Sequence, residues 1–359
     1  MARIDLDLAH SYHKVVKSDA DYALLPLKIT FDDGGAYALL GPSGCGKTTM
    51  LNIISGLVAA SHGSVQFDGV DCTHATPQQR NIAQVFQFPV IYDTMTVGEN
   101  LAFPLRNRRV PADQIRDRVG RIAEMLDLSA VLDQRAANLA ADAKQKISLG
   151  RGLVRPDVSA VLFDEPLTVI DPHLKWELRR KLKQIHHELG LTLIYVTHDQ
   201  VEAMTFADQV LVMARGRVVQ QGTPADLFER PRHTFVGHFI GSPGMNLLPV
   251  RFQADQSLWF QEQCIASQGL PALPDGALTL GIRPEYLWLS PEPVAGSIPA
   301  TVRRVQQIGT SQLVSLQAGS QELKAHIAPD APTPQENSQL HPVLLGIHTC
   351  FYQNEELIA

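Results

Sequence analysis

A chain of 359 residues, 45% apolar and 19% charged, can bury one full core and has room for a second. That composition excludes a disordered segment and a fibre, and no apolar run reaches the roughly 18 residues that a transmembrane helix requires. The net charge of −6 is unevenly shared: residues 241–359 hold 5 basic and 10 acidic side chains (5 − 10 = −5), and residues 1–240 hold 26 and 27 (26 − 27 = −1). Neither part has the positive balance of a nucleic-acid binder.

The opening residues, Met1 to Leu8, alternate apolar and polar and read as a strand rather than a secretion signal. Ala36–Leu40 is an apolar run closed by Gly41, the pattern of a buried strand. Directly after it, Gly41-Pro-Ser-Gly-Cys-Gly-Lys-Thr48 matches G-x-x-x-x-G-K-[ST] and leads into a helical pattern. Glycines let such a loop curl until several backbone N–H groups face one anion, and the following helix adds partial positive charge. Gly41, Pro42, Ser43, Gly44, Cys45, Gly46, Lys47, Thr48 and Thr49 are therefore the candidate phosphate-binding residues. Lys47 would face the β- and γ-phosphates of ATP, and the Thr48 hydroxyl would ligate Mg²⁺. Val85-Phe-Gln-Phe-Pro89 follows another short apolar run. Gln87 there is a polar loop residue on its own, and a candidate Mg²⁺ ligand and water sensor beside the phosphate loop.

Between residues 95 and 155 the periodicity is helical without strands, which predicts a helical subdomain inserted in an α/β core. Ser159–Phe163 reads as a strand, and Ala160-Val-Leu-Phe-Asp-Glu165 ends in two carboxylates. Such ends often only close a turn. After a phosphate loop they assign Asp164 to the Mg²⁺ shell and Glu165 to polarising the attacking water. Leu174, Leu178, Leu182, Ile185 and Leu189 recur at helical spacing and Gly190 stops that helix. Thr192–Thr197 is a β-branched strand ending at His198. In a parallel sheet that histidine lies beside the Asp-Glu strand end, where ligands bind and a γ-phosphate can be reached.

Composition shifts at Gly241-Ser-Pro-Gly244. Short alternating runs at 277–282, 300–308, 312–316, 322–327 and 343–347, broken by Gly and Pro, predict an all-β module over 241–359. Pro329–Ser338 reads as a loop. Cysteines 45, 72, 264 and 350 show no metal spacing, and a reducing cytoplasm is the simplest setting.

The order of phosphate loop, Gln87, Asp164-Glu165, Asp171 in "LTVIDPH" and His198 resembles the ATP-binding cassette (ABC) ATPases. The stretches "GPSGCGKTTMLNIISGL" and "THDQVEAMTFADQVLVMARGRVVQQGTPADLFERP" resemble the sugar- and polyol-importer branch. "LGIRPEYLWLSP" with "TVRRVQQIGTSQLVSLQ" resembles the OB-like TOBE domain appended to those ATPases. The likeness spans essentially the whole chain. It implies an α/β P-loop NTPase core with an inserted helical subdomain over 1–240 and a TOBE-like domain over 241–359. It also implies ATP hydrolysis with Mg²⁺ at the cytoplasmic face of a bacterial inner membrane, two transmembrane permease subunits, and indirectly an extracytoplasmic solute-binding protein. A soluble ABC ATPase and a nucleotide-sensing subunit are the other classes such a cassette could serve.

Roles for further residues follow only from the resemblance. Tyr12 would stack on adenine, with Tyr22 as the alternative, and Asp171 would belong to the nucleotide site. Phe88 to Asn100 would line a groove for a permease helix, in place of plain core packing. The family's "LSGGQ" signature, which contacts ATP held by the opposite ATPase of a head-to-tail dimer, falls on Leu139-Ala-Ala-Asp-Ala143. The serine is Ala140, the glycines are Ala141 and Asp142, and Asp142 could cap a helix over 143–153. A departure of this kind implies a second, non-identical ATPase subunit. Together with "QFPVIYDTMTVGENLAFPLRNR" it resembles bacterial glycerol importers with two different ATPases.

Overall fold

The computed structural model describes residues 1–168 and 170–359, in two compact units, Met1–Pro224 and Ala225–Ala359. In the first unit the chain opens with β1 (Ile4–His10), β2 (Leu24–Phe31) and β3 (Ala36–Leu40), followed by α1 (Lys47–Ser55), β4 (His62–Phe67), β5 (Val70–Asp71), α2 (Pro77–Arg80) and β6 (Ala83–Val85). The helical insertion is α3 (Val97–Arg106), α4 (Ala112–Met125) and α5 (Ala141–Leu153), with no strand among the described residues. The chain returns to the core through β7 (Val161–Asp164), α6 (Pro172–Leu189), β8 (Leu193–Thr197), α7 (Gln200–Phe206), β9 (Gln209–Ala214) and β10 (Arg217–Gly222).

Two sheets result. An antiparallel one runs β2-β1-β4-β5, and a six-stranded one runs β10-β9-β3-β8-β7-β6, parallel except at its β10 edge. All five residues of β3 are buried, as befits a strand with a parallel neighbour on each side. The core joins Ile4, Leu6, Phe31, Leu39, Ile53, Ile54, Leu162, Ile194 and Leu211, so both sheets and α1 share one apolar interior. Arg80 is buried inside this unit and donates to the carbonyls of Ile53, Ile54, Thr73 and Ala75, two of which close the C-terminal end of α1. A cation at that end satisfies carbonyls that have no partner within the helix.

The second unit holds α8 (Pro224–Glu229) from its second residue on, α9 (Thr234–Phe239) and the strands β11 (Asn246–Phe252), β12 (Leu258–Phe260), β13 (Gln263–Ala266), β14 (Gly276–Ile282), β15 (Trp288–Ser290), β16 (Ala300–Gln307), β17 (Gln312–Ala318), β18 (Gln321–Ile327), β19 (Gln339–Val343), β20 (Cys350–Gln353) and β21 (Glu356–Leu357). They pair as β13-β12-β11-β14-β20-β21 and β15-β19-β16-β17-β18 around a shared apolar interior. The compact units divide before the expected boundary at 240/241. Arg283 donates to the carbonyls of Leu227, Phe228 and Ile240, Tyr286 to Glu229, and Tyr352 to the Pro231 carbonyl, so segment 225–240 is bonded to the β-module. The strand expected at 343–347 lies earlier, at Gln339–Val343, and Pro329–Ser338 is strand-free as expected.

Candidate active site

Strand β3 delivers the chain to Gly41 at the C-terminal edge of the parallel sheet. Gly44 and Gly46 have φ of 78° and 106°. A side chain at Gly46 would also meet the Ala23 carbonyl at 2.6 Å, so the tight curl of the loop needs glycine there. Gly46 caps α1 without a side-chain hydrogen bond, and the first N–H groups of that helix are left for an anion. Lys47 is 6% exposed, and its Nζ donates to the carbonyls of Gly41 (2.8 Å) and Pro42 (3.0 Å). The ammonium is thus stored within its own loop. Pro42, Ser43 and Gly44 form the exposed rim. Burial pushes the Cys45 thiol above its ordinary range, which makes it a packing residue rather than a nucleophile.

Beside this loop, β7 and β8 end together. Thr48 Oγ1 donates to Asp164 Oδ1 at 3.2 Å. Neighbouring ligands of an octahedral Mg²⁺ lie about 3 Å apart, so a hydroxyl and a carboxylate at this spacing suit one cation. Burial pushes the Asp164 carboxyl up, the Thr48 hydrogen bond pulls it back, and the Glu165 charge adds to the rise. A cation would relieve both causes of the rise. Glu165 adopts φ of 47°, uncommon outside glycine, while its N–H still donates to Val196 at 3.0 Å. Its Oε1 lies 3.1 Å from His198 Nδ1, and its Oε2 accepts from Thr168 at 3.3 Å. Both oxygens of the expected water-polarising carboxylate are therefore held. Below them Thr197 donates to the buried Glu202, which also accepts from Tyr195 and lies 3.6 Å from Lys175.

Gln87 sits two residues past the Val85–Phe163 register pair, half-buried at the same sheet edge, and its amide makes no hydrogen bond among the described residues. Tyr12 is 63% exposed and its hydroxyl lies 3.2 Å from Thr49 Oγ1, with the ring edge-on to His10 at 4.6 Å. That places an open aromatic face next to the phosphate-loop helix, whereas Tyr22 is half-buried in the following turn. Asp171 behaves differently from the others. Its Oδ1 accepts from the His173 N–H at 2.9 Å as the N-cap of α6, and it makes no hydrogen bond to the phosphate loop. Val169 of the same motif lies outside the described residues.

Helix α5 starts at Ala141, with Ala140 as N-cap and no side-chain cap. The expected cap at Asp142 is thereby corrected. The last extended residue is Ala140, and Asp142 lies in the first turn, where a carboxylate still complements the helix dipole. Sequence reasoning missed Gln145 in this helix. It is fully buried and donates to the Pro166 carbonyl (2.7 Å) and the Phe86 carbonyl (3.5 Å), bridging the segments after β7 and β6. A lone glutamine in a helical pattern carries no signal of that bridge, and Thr168 and Glu202 are equally silent.

The segment after Gln87 divides between surface and core. Phe86, Phe88, Val90 and Tyr92 are exposed, while buried Asn100 exchanges hydrogen bonds with the Tyr92 backbone. Arg151 lies 4.8 Å over the Tyr92 ring, and a 220 Å³ cleft opens between Phe86, Val90, Pro104 and Arg151.

Residues 24–168 match the family described as ABC transporter, and residues 241–287 that described as MalK OB fold domain. The chain is 36% identical over 326 residues to the sn-glycerol-3-phosphate import ATP-binding protein UgpC of Vibrio cholerae serotype O1, covering 90% of this chain and 87% of that one. It is 38% identical over 320 residues to the protein of that name in Escherichia coli O157:H7 (88% and 89%), and 41% identical over 277 residues to that of Paracoccus denitrificans (77% of each). Among solved structures, cbiO1 from Clostridium perfringens, part of the ABC transporter complex cbiONQ, superposes with a TM-score of 0.57 at 27% identity, covering 64% of this chain and 90% of that one.

Proposed function

The chain belongs to the ABC transporter ATP-binding proteins, and from that premise we propose that it powers uptake of glycerol or a related small polyol as one half of an unlike ATPase pair. It is an importer's ATP-hydrolysing subunit. The finer reading is supported by one observation: the N-cap and first turn of α5 read Ala140-Ala-Asp where the family has Ser-Gly-Gly, while Thr48 meets Asp164 and Glu165 meets His198 at the sheet edge.

In the proposed mechanism the triphosphate sits at the N-terminus of α1, and Lys47 exchanges its two carbonyl partners for phosphate oxygens. Tyr12 stacks on adenine. Mg²⁺ would be held by Thr48 and Asp164 with Gln87, and when bound it neutralises phosphate charge. Glu165, held by His198 and Thr168, orients and polarises the water whose oxygen attacks the γ-phosphorus as the bond to the leaving ADP oxygen breaks. His198 keeps the carboxylate aimed, and its exposed ring reaches towards the γ-phosphate.

The opposite site would be built from the partner's phosphate loop and this chain's α5. There a hydroxyl donor worth about 1.5–3 kcal/mol to a charged acceptor is gone. The Asp142 carboxylate adds repulsion of roughly 3 kcal/mol at about 5 Å and an effective dielectric of 20. Together these weaken that contact by more than about a thousandfold. Two copies of this chain would form two poor sites. A sister subunit with an intact signature would complete this chain's own site.

One of two permease subunits would dock a helix on the Phe88–Asn100 segment, whose Phe88, Val90 and Tyr92 are exposed, at the cytoplasmic face of the membrane, with an extracytoplasmic binding protein supplying the cargo. No helix among the described residues is long and apolar enough to cross a membrane. The relatives' names carry sn-glycerol-3-phosphate, the phosphate ester of the expected polyol. Single-turnover hydrolysis and vanadate trapping on the purified chain test the pairing. Slow, non-cooperative turnover is expected, and robust cooperative hydrolysis by the lone subunit refutes it.

A further inference from the structure

Outside the nucleotide site, α6 carries a basic groove that hydrolysis does not use. Trp176, Arg179, Arg180, Lys183, Gln184 and His187 line it with Thr205 of α7, around a concavity of 270 Å³. No carboxylate is in the lining. The acids nearby are engaged elsewhere: Glu177 with Lys181, Glu188 with Arg121 and Gln184, and Glu202 with Tyr195, Thr197 and Lys175.

Arg179 is the informative member. It is 8% exposed, yet among the described residues it makes no hydrogen bond and no ion pair. The stem of Arg179 is buried while its guanidinium nitrogens keep contact with water, and the buried Tyr195 lies within its electrostatic reach. Arg80 and Arg283 differ, each donating to several carbonyls. Arg179 lines the groove with its donors free of protein acceptors among the described residues. Arg180 is ordered over the exposed Trp176 ring at 5.2 Å, which holds a second guanidinium at the rim. Lys183 lies one helical turn from Arg179, and His187 one turn further, on the same face.

We infer that this groove binds a small phosphate-bearing dianion through Arg179, Arg180 and Lys183, with Trp176 offering an apolar face to an organic substituent. Planar guanidinium forks match the oxygens of a phosphate two at a time, and a dianion suits several convergent cations better than a monocarboxylate. A concavity of this size takes a phosphate monoester and is too small for a folded acidic partner. The groove lies on a different helix from the phosphate loop, so its occupancy is separable from that of the ATP site.

The test titrates the full chain, its nucleotide site saturated with ADP, with inorganic phosphate and with phenyl phosphate. Binding is read by calorimetry and by tryptophan fluorescence. Saturable binding is expected, with a fluorescence change that disappears in Trp176→Phe and tighter binding of phenyl phosphate than of inorganic phosphate. Arg179→Gln should weaken binding about tenfold or more, the scale of a lost charge-assisted hydrogen bond. Arg180→Gln and Lys183→Gln, at more accessible positions, should weaken it without altering the thermal melt, so a folding defect in Arg179→Gln would leave the result readable. Absence of saturable binding under ADP overturns the assignment. So does an affinity indifferent to Arg180→Gln and Lys183→Gln, or binding confined to vesicles of anionic lipid.

Discussion

Repair of α5 is the most informative perturbation. In Ala140→Ser/Ala141→Gly/Asp142→Gly, the serine enters an N-cap position that has no side-chain bond at present. A serine there adds about 1 kcal/mol of helix stability, and each glycine in place of a better helix former removes up to about 1 kcal/mol. The first turn is the most tolerant part of a helix, so the fold should lose no more than about 1 kcal/mol, a melting shift of roughly 2–4 °C for a unit of this size. The nucleotide contact changes far more. Restoring a hydroxyl donor and removing the Asp142 charge together return roughly 4–6 kcal/mol to the clamp between two subunits. Even if only half of that is realised at the transition state, steady-state hydrolysis by the lone chain should rise by about two orders of magnitude and become cooperative in chain concentration. A malachite-green or coupled ATPase assay over a concentration series reads this directly. A repaired chain that melts normally and hydrolyses no faster than the native one would refute the assignment of Leu139–Ala143 as a defective signature.

Three further outcomes are expected. Tyr12→Ala should weaken nucleotide binding about five- to tenfold in fluorescence titrations, the loss of one aromatic stack, while leaving the melt unchanged because the ring is exposed. Asp164→Asn should abolish Mg²⁺-dependent turnover yet raise the nucleotide-free melting temperature at neutral pH. The folded carboxyl is pushed above its unfolded value, so the native state binds the extra proton and stability falls as pH rises through that range. Asparagine escapes this loss, and its advantage should vanish as pH is lowered below the Asp164 titration. Arg80→Met takes the Arg80 donor from the carbonyls of Ile54, Thr73 and Ala75, while that of Ile53 keeps the Gly56 N–H. Urea melts should register a loss of about 3–5 kcal/mol.

Much of the fold could be read from residues whose local chemistry agrees with their burial. Ala36–Leu40 is buried throughout and stopped by glycine, and the observed strand has the expected limits. The helix ending at Gly190 carries its stop signal in one residue, with φ of 58°. Strand β11 escaped because Pro249 sits in its middle, and proline argues against a central strand. The pairing explains the exception. β11 meets β12 only at Arg251 and Phe252, so at Pro249 it has a partner on the β14 side alone, and no ladder bond is lost on the other. Where a motif fixes both residue and spacing, as in the Lys47–Thr48 and Asp164–Glu165 pairs, the structure brings the expected residues together at the sheet edge, Thr48 against Asp164. Gln145 and Arg179 were not legible, because what distinguishes them is an environment of distant segments that no local pattern encodes.

The central claim is that this chain contributes one competent ATP site to an asymmetric pair. Vanadate trapping of radiolabelled nucleotide in the assembled transporter, counted per pair of ATPase subunits, measures it directly. One trapped nucleotide per pair, photocrosslinked to this chain's phosphate loop, is the predicted result. Two trapped nucleotides per pair, or a functional transporter holding two copies of this chain, would contradict it.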